Sequence, residues 1–217
     1  MSKYSEKLDQ VRSLLRENSS LLIVSKNRAL SEIQEYINLG HKDFGENKVQ
    51  ELKQKSQELS GQMIDWHMIG HLQTNKVKAL LEIPGLKYIH SVDRMELVKE
   101  LVKYDSRLNH PVHLFLQVKT SFEAEKSGFT SDADLIQAAA LIDKCKNLTF
   151  IGLMTMGAVR TDEFEKEAHR CFRELRDQKE RLFSQRNLKL SMGMSQDYQI
   201  ALQEGSNWIR LGTSMFE

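Results

Sequence analysis

The chain has 217 residues, a comfortable length for one domain with a sizeable core. Thirty-one Lys and Arg stand against 30 Asp and Glu, a formal net charge of +1, which gives no electrostatic case for nucleic acid or a membrane surface as main partner. No apolar run approaches the ~20 residues that cross a bilayer. The polar opening Met1-Ser2-Lys3-Tyr4-Ser5-Glu6 leads into no apolar signal core, so a cytoplasmic protein is expected.

The first pattern is helical, over 4–17, with Leu8, Val11, Leu14 and Leu15 on one face. An apolar strand over 21–25 follows, then a helix over 31–39, a short strand over 43–45 and a helix over 48–59. Strand 65–69, helix 74–81, strand 88–91 and helix 94–104 repeat the alternation. Strand 112–118, helix 132–144, strand 149–154, helix 163–183, strand 189–192, helix 196–203 and strand Trp208–Leu211 complete it. Helical spacing is plain in Leu97, Leu101 and Tyr104, and in Leu135, Ala138, Ala139 and Ile142. Repeated strand–helix units imply parallel strands with helices outside. Eight of them predict an α/β fold, a single (β/α)8 TIM barrel over residues 1–217, rather than an open sheet. No outer helix is expected after strand eight; the leading helix is expected to cover that place. Pro84 and Pro111 occupy loop positions, and Lys53–Lys55 and Lys76–Lys78 read as solvated helix faces. Cys145 and Cys171 both fall in predicted helices and are expected to be reduced thiols.

Functional groups of such barrels gather where strands end and βα loops begin. Lys26 ends strand one, Gly45-Glu46-Asn47 follows strand two, and Gly70-His71 follows strand three. Ser191-Met192-Gly193-Met194-Ser195 and Gly212-Thr213 follow strands seven and eight. Lys26 shares strand parity with Leu22 and Val24. An amine on that face is expected to be poorly solvated, which favours its neutral, nucleophilic form. Gly193 and Gly212 admit close approach of backbone amides, while Ser195 and Thr213 offer hydroxyls, as phosphate sites after strands seven and eight require. An amine facing an anion cradle suits a phosphate-bearing aldehyde, with pyridoxal 5'-phosphate as candidate. Arg210, if inward, is a buried cation in need of a partner: a ring nitrogen of that ligand, or an internal carboxylate. An arginine only donates, so such a ring nitrogen would stay unprotonated and the ring would be a weaker electron sink. His67 and His71 are four apart, but Gly70 interrupts any helix, so packing roles are favoured over a metal.

At these residues the chain resembles the pyridoxal phosphate homeostasis protein family, similar to the alanine racemase N-terminal domain. Val24-Ser25-Lys26, the run from Asp43 to Glu51, the run from Trp66 to Lys76 and Ile89-His90-Ser91-Val92-Asp93 carry the resemblance. So do Lys126-Ser127-Gly128-Phe129, Gly152-Leu153-Met154-Thr155, the run from Leu190 to Asp197 and the run from Arg210 to Phe216, in order across nearly the whole chain. The resemblance implies a racemase-type barrel with pyridoxal phosphate held by Lys26 as an imine and Asn47 near the cofactor. It further implies Ser195, Gly212 and Thr213 on the phosphate, and Arg210 facing the ring nitrogen. It implies an often monomeric carrier or buffer in vitamin B6 homeostasis, without established turnover. Apo-enzymes that use the cofactor are candidate partners. Asn27, Lys119 and Phe122 depart from the family pattern; Lys119 is expected to bring a second amine near the site. The alternative is an amino-acid racemase, whose additional C-terminal domain supplies a catalytic tyrosine. The chain ends at Glu217, and that second proton-transfer group is not expected. An aldolase-like barrel acting on a sugar phosphate through Lys26 is the third reading.

Overall fold

The computed structural model describes residues 2–123, 125–157 and 162–217. Its organisation follows from side-chain alternation along the strands. In β1 (Ser20–Val24), Leu21 and Ile23 enter the large apolar shell between sheet and helices. Leu22 points the other way, into a small inner cluster with Phe115, Met154 and Trp208. A strand buried on both faces needs helices outside and side chains inside.

Seven more parallel strands repeat the arrangement: β2 (Asp43–Glu46), β3 (Asp65–Met68), β4 (Leu86–Val92), β5 (Val112–Gln117), β6 (Leu148–Met154), β7 (Lys189–Ser191) and β8 (Trp208–Leu211). They follow chain order around a closed barrel. Parallel pairing of β1 with β8, from Ser20 opposite Trp208 to Ile23 opposite Leu211, makes the closure. The expected TIM barrel is therefore the observed one. Pairing is irregular between β3 and β4 at Trp66/His67 and between β4 and β5 at Ile89/Val92, so parity cannot be carried unbroken around the sheet.

The helices are α1 (Lys3–Arg12), α2 (Leu30–Asn38), α3 (Val49–Glu58), α4 (Val77–Leu81), α5 (Met95–Lys103), α6 (Asp132–Ile142), α7 (Phe164–Phe183), α8 (Tyr198–Gln203) and α9 (Thr213–Phe216). Apolar spacing sets their inner faces: α7 buries Ala168, Cys171, Phe172 and Leu175, three or four residues apart. Ser131 caps α6 by accepting the Asp134 N–H at 3.3 Å, with Asp132 and Asp134 in the positive first turn.

Two expectations at the termini are corrected. The leading helix stops at Arg12, leaving Leu14 43% exposed, because a turn redirects the chain into β1. A short helix, α9, does follow β8. Leu8 and Val11 of α1 are buried in the outer shell. Lys3 Nζ donates to the Phe216 carbonyl at 2.8 Å and Lys7 Nζ to that of Ser214 at 3.0 Å, so α1 clasps α9. Tyr4 meets Tyr36 of α2 edge-on, with ring centroids 5.2 Å apart. Cys171 is buried in α7, whereas Cys145 lies just beyond α6 rather than inside it; both are free thiols. Among the described residues no helix is long and apolar enough to cross a membrane.

Candidate functional site

Where the strands end, the barrel opens into a cavity of about 620 Å³. Lys26, Asn47, Ser195, Arg210, Gly212 and Thr213 all line it. Val24, Ile69, Met154, Met156 and Met194 give it apolar walls. Few convergent polar groups on an apolar wall are the usual composition of a small-molecule site. A recess of about 730 Å³ lies along α7, but its lining side chains all come from that one helix. Many of them are engaged in ion pairs, Arg170 with Glu167 at 2.9 Å and Glu174 at 2.8 Å, Arg173 with Glu204 at 3.2 Å and Arg181 with Asp132, which leaves no set of groups converging on a ligand.

Lys26 stands two residues past the end of β1 and is exposed, which corrects the expectation of a poorly solvated amine. The side chain reaches the cavity from its rim instead of from its floor. Its backbone, by contrast, is tightly anchored. Lys55 Nζ donates to the Ser25 carbonyl at 2.6 Å, and the Asn27 N–H donates to Glu51 Oε1 at 2.7 Å. Asn27 adopts φ +59°, a left-handed conformation that asparagine tolerates. Lys55 also pairs with Glu46 Oε1 and Glu51 Oε1, each at 2.8 Å, and Ser25 Oγ donates to Glu46 Oε1 at 2.7 Å. Burial raises the Glu46 carboxyl above its ordinary pKa, against the pull of Lys55 and Ser25.

The charge pattern of Lys53–Lys55 predicts a solvated face, but in this platform Lys55 is only 6% exposed. A usable signal existed, because Leu52, Lys55 and Ser56 share the inward phase of α3. Asn47 is held from the other side. A Cβ at Gly70 would fall 2.1 Å from the Asn47 carbonyl, so only glycine lets the loop after β3 pack there.

The β7 and β8 loops meet through their hydroxyls, Ser214 Oγ donating to Ser195 Oγ at 3.1 Å. Thr213 and Ser214 open α9, so their N–H groups have no intrahelical acceptors. The helix after β7 begins at Tyr198, later than expected, and the Met194 N–H is already taken by Asp197 Oδ1 at 2.5 Å. Burial raises the pKa of Asp197. Gly193 serves packing rather than ligand approach: at φ +97°, its added Cβ would lie 2.6 Å from Ala201 Cβ. A Cβ at Gly212 would make ordinary 3.4 Å contact with Val24.

Arg210 does point inward and is only 4% exposed. Nη1 donates to Ser191 Oγ at 2.8 Å and Nη2 to the Thr155 carbonyl at 2.9 Å. Among the described residues no carboxylate pairs with it, so the internal ion pair considered from sequence does not form. Burial lowers its pKa to about 10, with the Asp197 charge opposing; it remains a cation at neutral pH. A buried guanidinium with spare donors, lining a cavity, fits an acceptor atom on a ligand.

The remaining candidates lie elsewhere. His67 is buried in the barrel and stacked on Tyr88 with centroids 4.3 Å apart. His71 is exposed, with Nδ1 3.0 Å from Asp93 Oδ2. Lys119 borders a small cleft beside Gln117 and Lys126, not the main cavity. Phe122 is 85% exposed and lies under the Arg170 guanidinium at 4.2 Å.

The alanine racemase N-terminal domain family matches residues 1–217. The pyridoxal phosphate homeostasis protein of Helicobacter pylori (strain 26695) is 39% identical over 91% of this chain and 86% of its own. PipY of Synechococcus elongatus PCC7942, whose structure has PLP bound, superposes with a TM-score of 0.88 at 33% identity, covering 99% of this chain and 100% of that one. Alanine racemase from E. faecalis shares the fold, with a TM-score of 0.75 at 14% identity over 98% of this chain and 57% of that one.

Proposed function

Because this chain belongs to the pyridoxal phosphate homeostasis protein family, we propose that it binds pyridoxal 5'-phosphate in the strand-end cavity and carries or buffers it, without catalytic turnover, in vitamin B6 homeostasis. The observation that carries the reading is the convergence of Lys26, Asn47, Ser195, Arg210, Gly212 and Thr213 on one cavity. The cofactor supplies an electrophilic aldehyde, which Lys26 holds as an imine. The rim position of Lys26 leaves it open to water and to competing amines, as reversible capture requires. Ser195, Thr213 and the free N–H groups at the start of α9 bind the phosphate. Arg210 donates to the ring nitrogen and keeps a proton off it, which restrains carbanion chemistry.

Racemisation needs a second acid/base group across the ring; besides Lys26, the titratable groups among the described lining residues are Arg210 and the carboxylates of Asp197, whose Oδ1 accepts from the Met194 N–H, and of the exposed Glu217. The same reading places the protein in the cytoplasm as a monomer that supplies cofactor to apo-enzymes.

Titration with pyridoxal 5'-phosphate tests it. The wild-type protein should develop a visible absorbance band that borohydride bleaches, Lys26→Ala should not, and L-alanine should not be racemised. Rapid racemisation by the loaded protein would replace storage with catalysis.

A further inference from the structure

Beneath the cavity, an unbroken run of polar groups crosses the barrel interior. Asp43 Oδ1, on the first residue of β2, lies 3.1 Å from His67 Nε2. His67 Nδ1 lies 2.9 Å from His90 Nε2, and His90 Nδ1 lies 2.8 Å from Ser191 Oγ. Ser191 Oγ in turn accepts from Arg210 Nη1 at 2.8 Å. The run starts at the opposite mouth of the barrel, where the Asp43 side chain is 26% exposed, and ends at the cavity.

Both ends of this chain are one-way. An arginine only donates and an ionised aspartate only accepts. The Arg210 N–H occupies one of the two lone pairs of Ser191; a run of neutral imidazoles that ends on the Asp43 acceptor then takes the Ser191 hydroxyl proton on His90 Nδ1. His90 then carries its proton on Nε2 and gives that bond to His67 Nδ1. His67 carries its proton on Nε2 and gives it to Asp43. Each member can satisfy its neighbours in one arrangement, with both imidazoles neutral and in the Nε2–H tautomer.

The surroundings favour that state. Burial lowers the pKa of His67 and takes His90 well below its ordinary value. His67 is sandwiched near Tyr88 and Trp208, at centroid distances of 4.3 and 5.0 Å, and His90 lies on Phe115 at 4.4 Å. The aromatic faces exclude water and hold both rings in register.

We propose that Asp43, His67, His90 and Ser191 are positioning residues that act as a unidirectional hydrogen-bond relay, fixing the orientation of Arg210 and transmitting the Asp43 charge to the donor it presents in the cavity. The relay itself is a property of the protein alone. Its effect on a heteroaromatic ring acceptor rests on the proposed function.

Long-range ¹⁵N NMR of the imidazoles in cofactor-free full-length protein decides the relay. Both His67 and His90 should be neutral Nε2–H tautomers at pH 7, and Asp43→Asn should shift the His90 nitrogens although Asp43 does not touch that ring. Where Asp43→Asn does not fold, Ser191→Ala reads the same coupling from the other end, through the His67 nitrogens. An Nδ1–H tautomer or an imidazolium at either ring, or distal nitrogens unmoved by substitution at the end, would overturn the relay.

The second reading uses pyridoxal 5'-phosphate as probe. Asp43→Asn should still form the borohydride-reducible adduct on Lys26, but with a displaced absorbance maximum and affinity weakened roughly tenfold, equivalent to about 1.4 kcal/mol. An unchanged spectrum and affinity would overturn the transmission to the cavity. If the wild-type protein takes up no probe, the proposed function fails while the imidazole resonances still decide the relay.

Discussion

Replacing Lys55 with Met tests the platform under Lys26. The ammonium is 8% exposed and contacts the Ser25 carbonyl, Glu46 (0% exposed) and Glu51 (22%). Glu46 Oε2 is already buried without a hydrogen-bond partner. Removing the cation leaves a fully buried carboxylate with only Ser25 Oγ to solvate it. Breaking a buried pair in this way costs about 3–5 kcal/mol. At roughly 2–4 °C per kcal/mol for a chain of this size, melting should fall by about 6–20 °C. Glu46 limits the loss by taking up a proton, and the sign of that escape is fixed. Its folded pKa is already raised, so the folded state holds protons more tightly than the unfolded one above the ordinary carboxylate range, and stability falls as pH rises. Loss of Lys55 strengthens that trend, so the deficit should be larger at pH 7 than at pH 5. Adding Glu46→Gln should recover part of it at pH 7. Circular-dichroism melts of the three proteins at both pH values give the answer. A Lys55→Met protein melting within about 2 °C of wild type at pH 7 would refute the reasoning.

Deleting residues 1–17 should lower the melting temperature by roughly 10 °C, because Leu8 and Val11 together contribute about 4 kcal/mol of burial at ~25 cal/mol per Å²; an unchanged melt would mean that α1 is dispensable. His41, 7% exposed with Nε2 2.9 Å from the Asp43 carbonyl, has its pKa lowered by burial to about 4. Its folded state therefore binds fewer protons than the unfolded one, and stability should be lost as pH falls from ~6.5 toward 4, by about 3 kcal/mol at the lower end. Urea unfolding of His41→Gln should show a correspondingly shallower pH dependence over that window, and an identical slope would remove His41 as a source.

The barrel was legible because short apolar runs and helical spacing alternate eight times, and that pattern admits few topologies. The cavity residues were legible for a related reason: a lysine, an asparagine, an arginine and two hydroxyl loops all fall where strands end. Exposure at Lys26 was not, since strand parity gives a direction but not how far the rim extends past Val24. Lys55 shows the limit most clearly. Its inward phase on α3 could be read, but its carboxylate partner on β2 requires the three-dimensional pairing. The relay was hidden by the irregular registers at Trp66/His67 and Ile89/Val92, which break the parity count linking Asp43 to Ser191 around the barrel. Helix α9 is four residues long, too short for periodicity to register.

Peptide mass mapping after borohydride reduction of the pyridoxal-phosphate-loaded protein tests the central claim most directly. A single pyridoxyl phosphate mass on the peptide containing Lys26, and on none containing Lys55, Lys119 or Lys126, is the predicted result. Modification of another lysine with Lys26 left free would contradict the account.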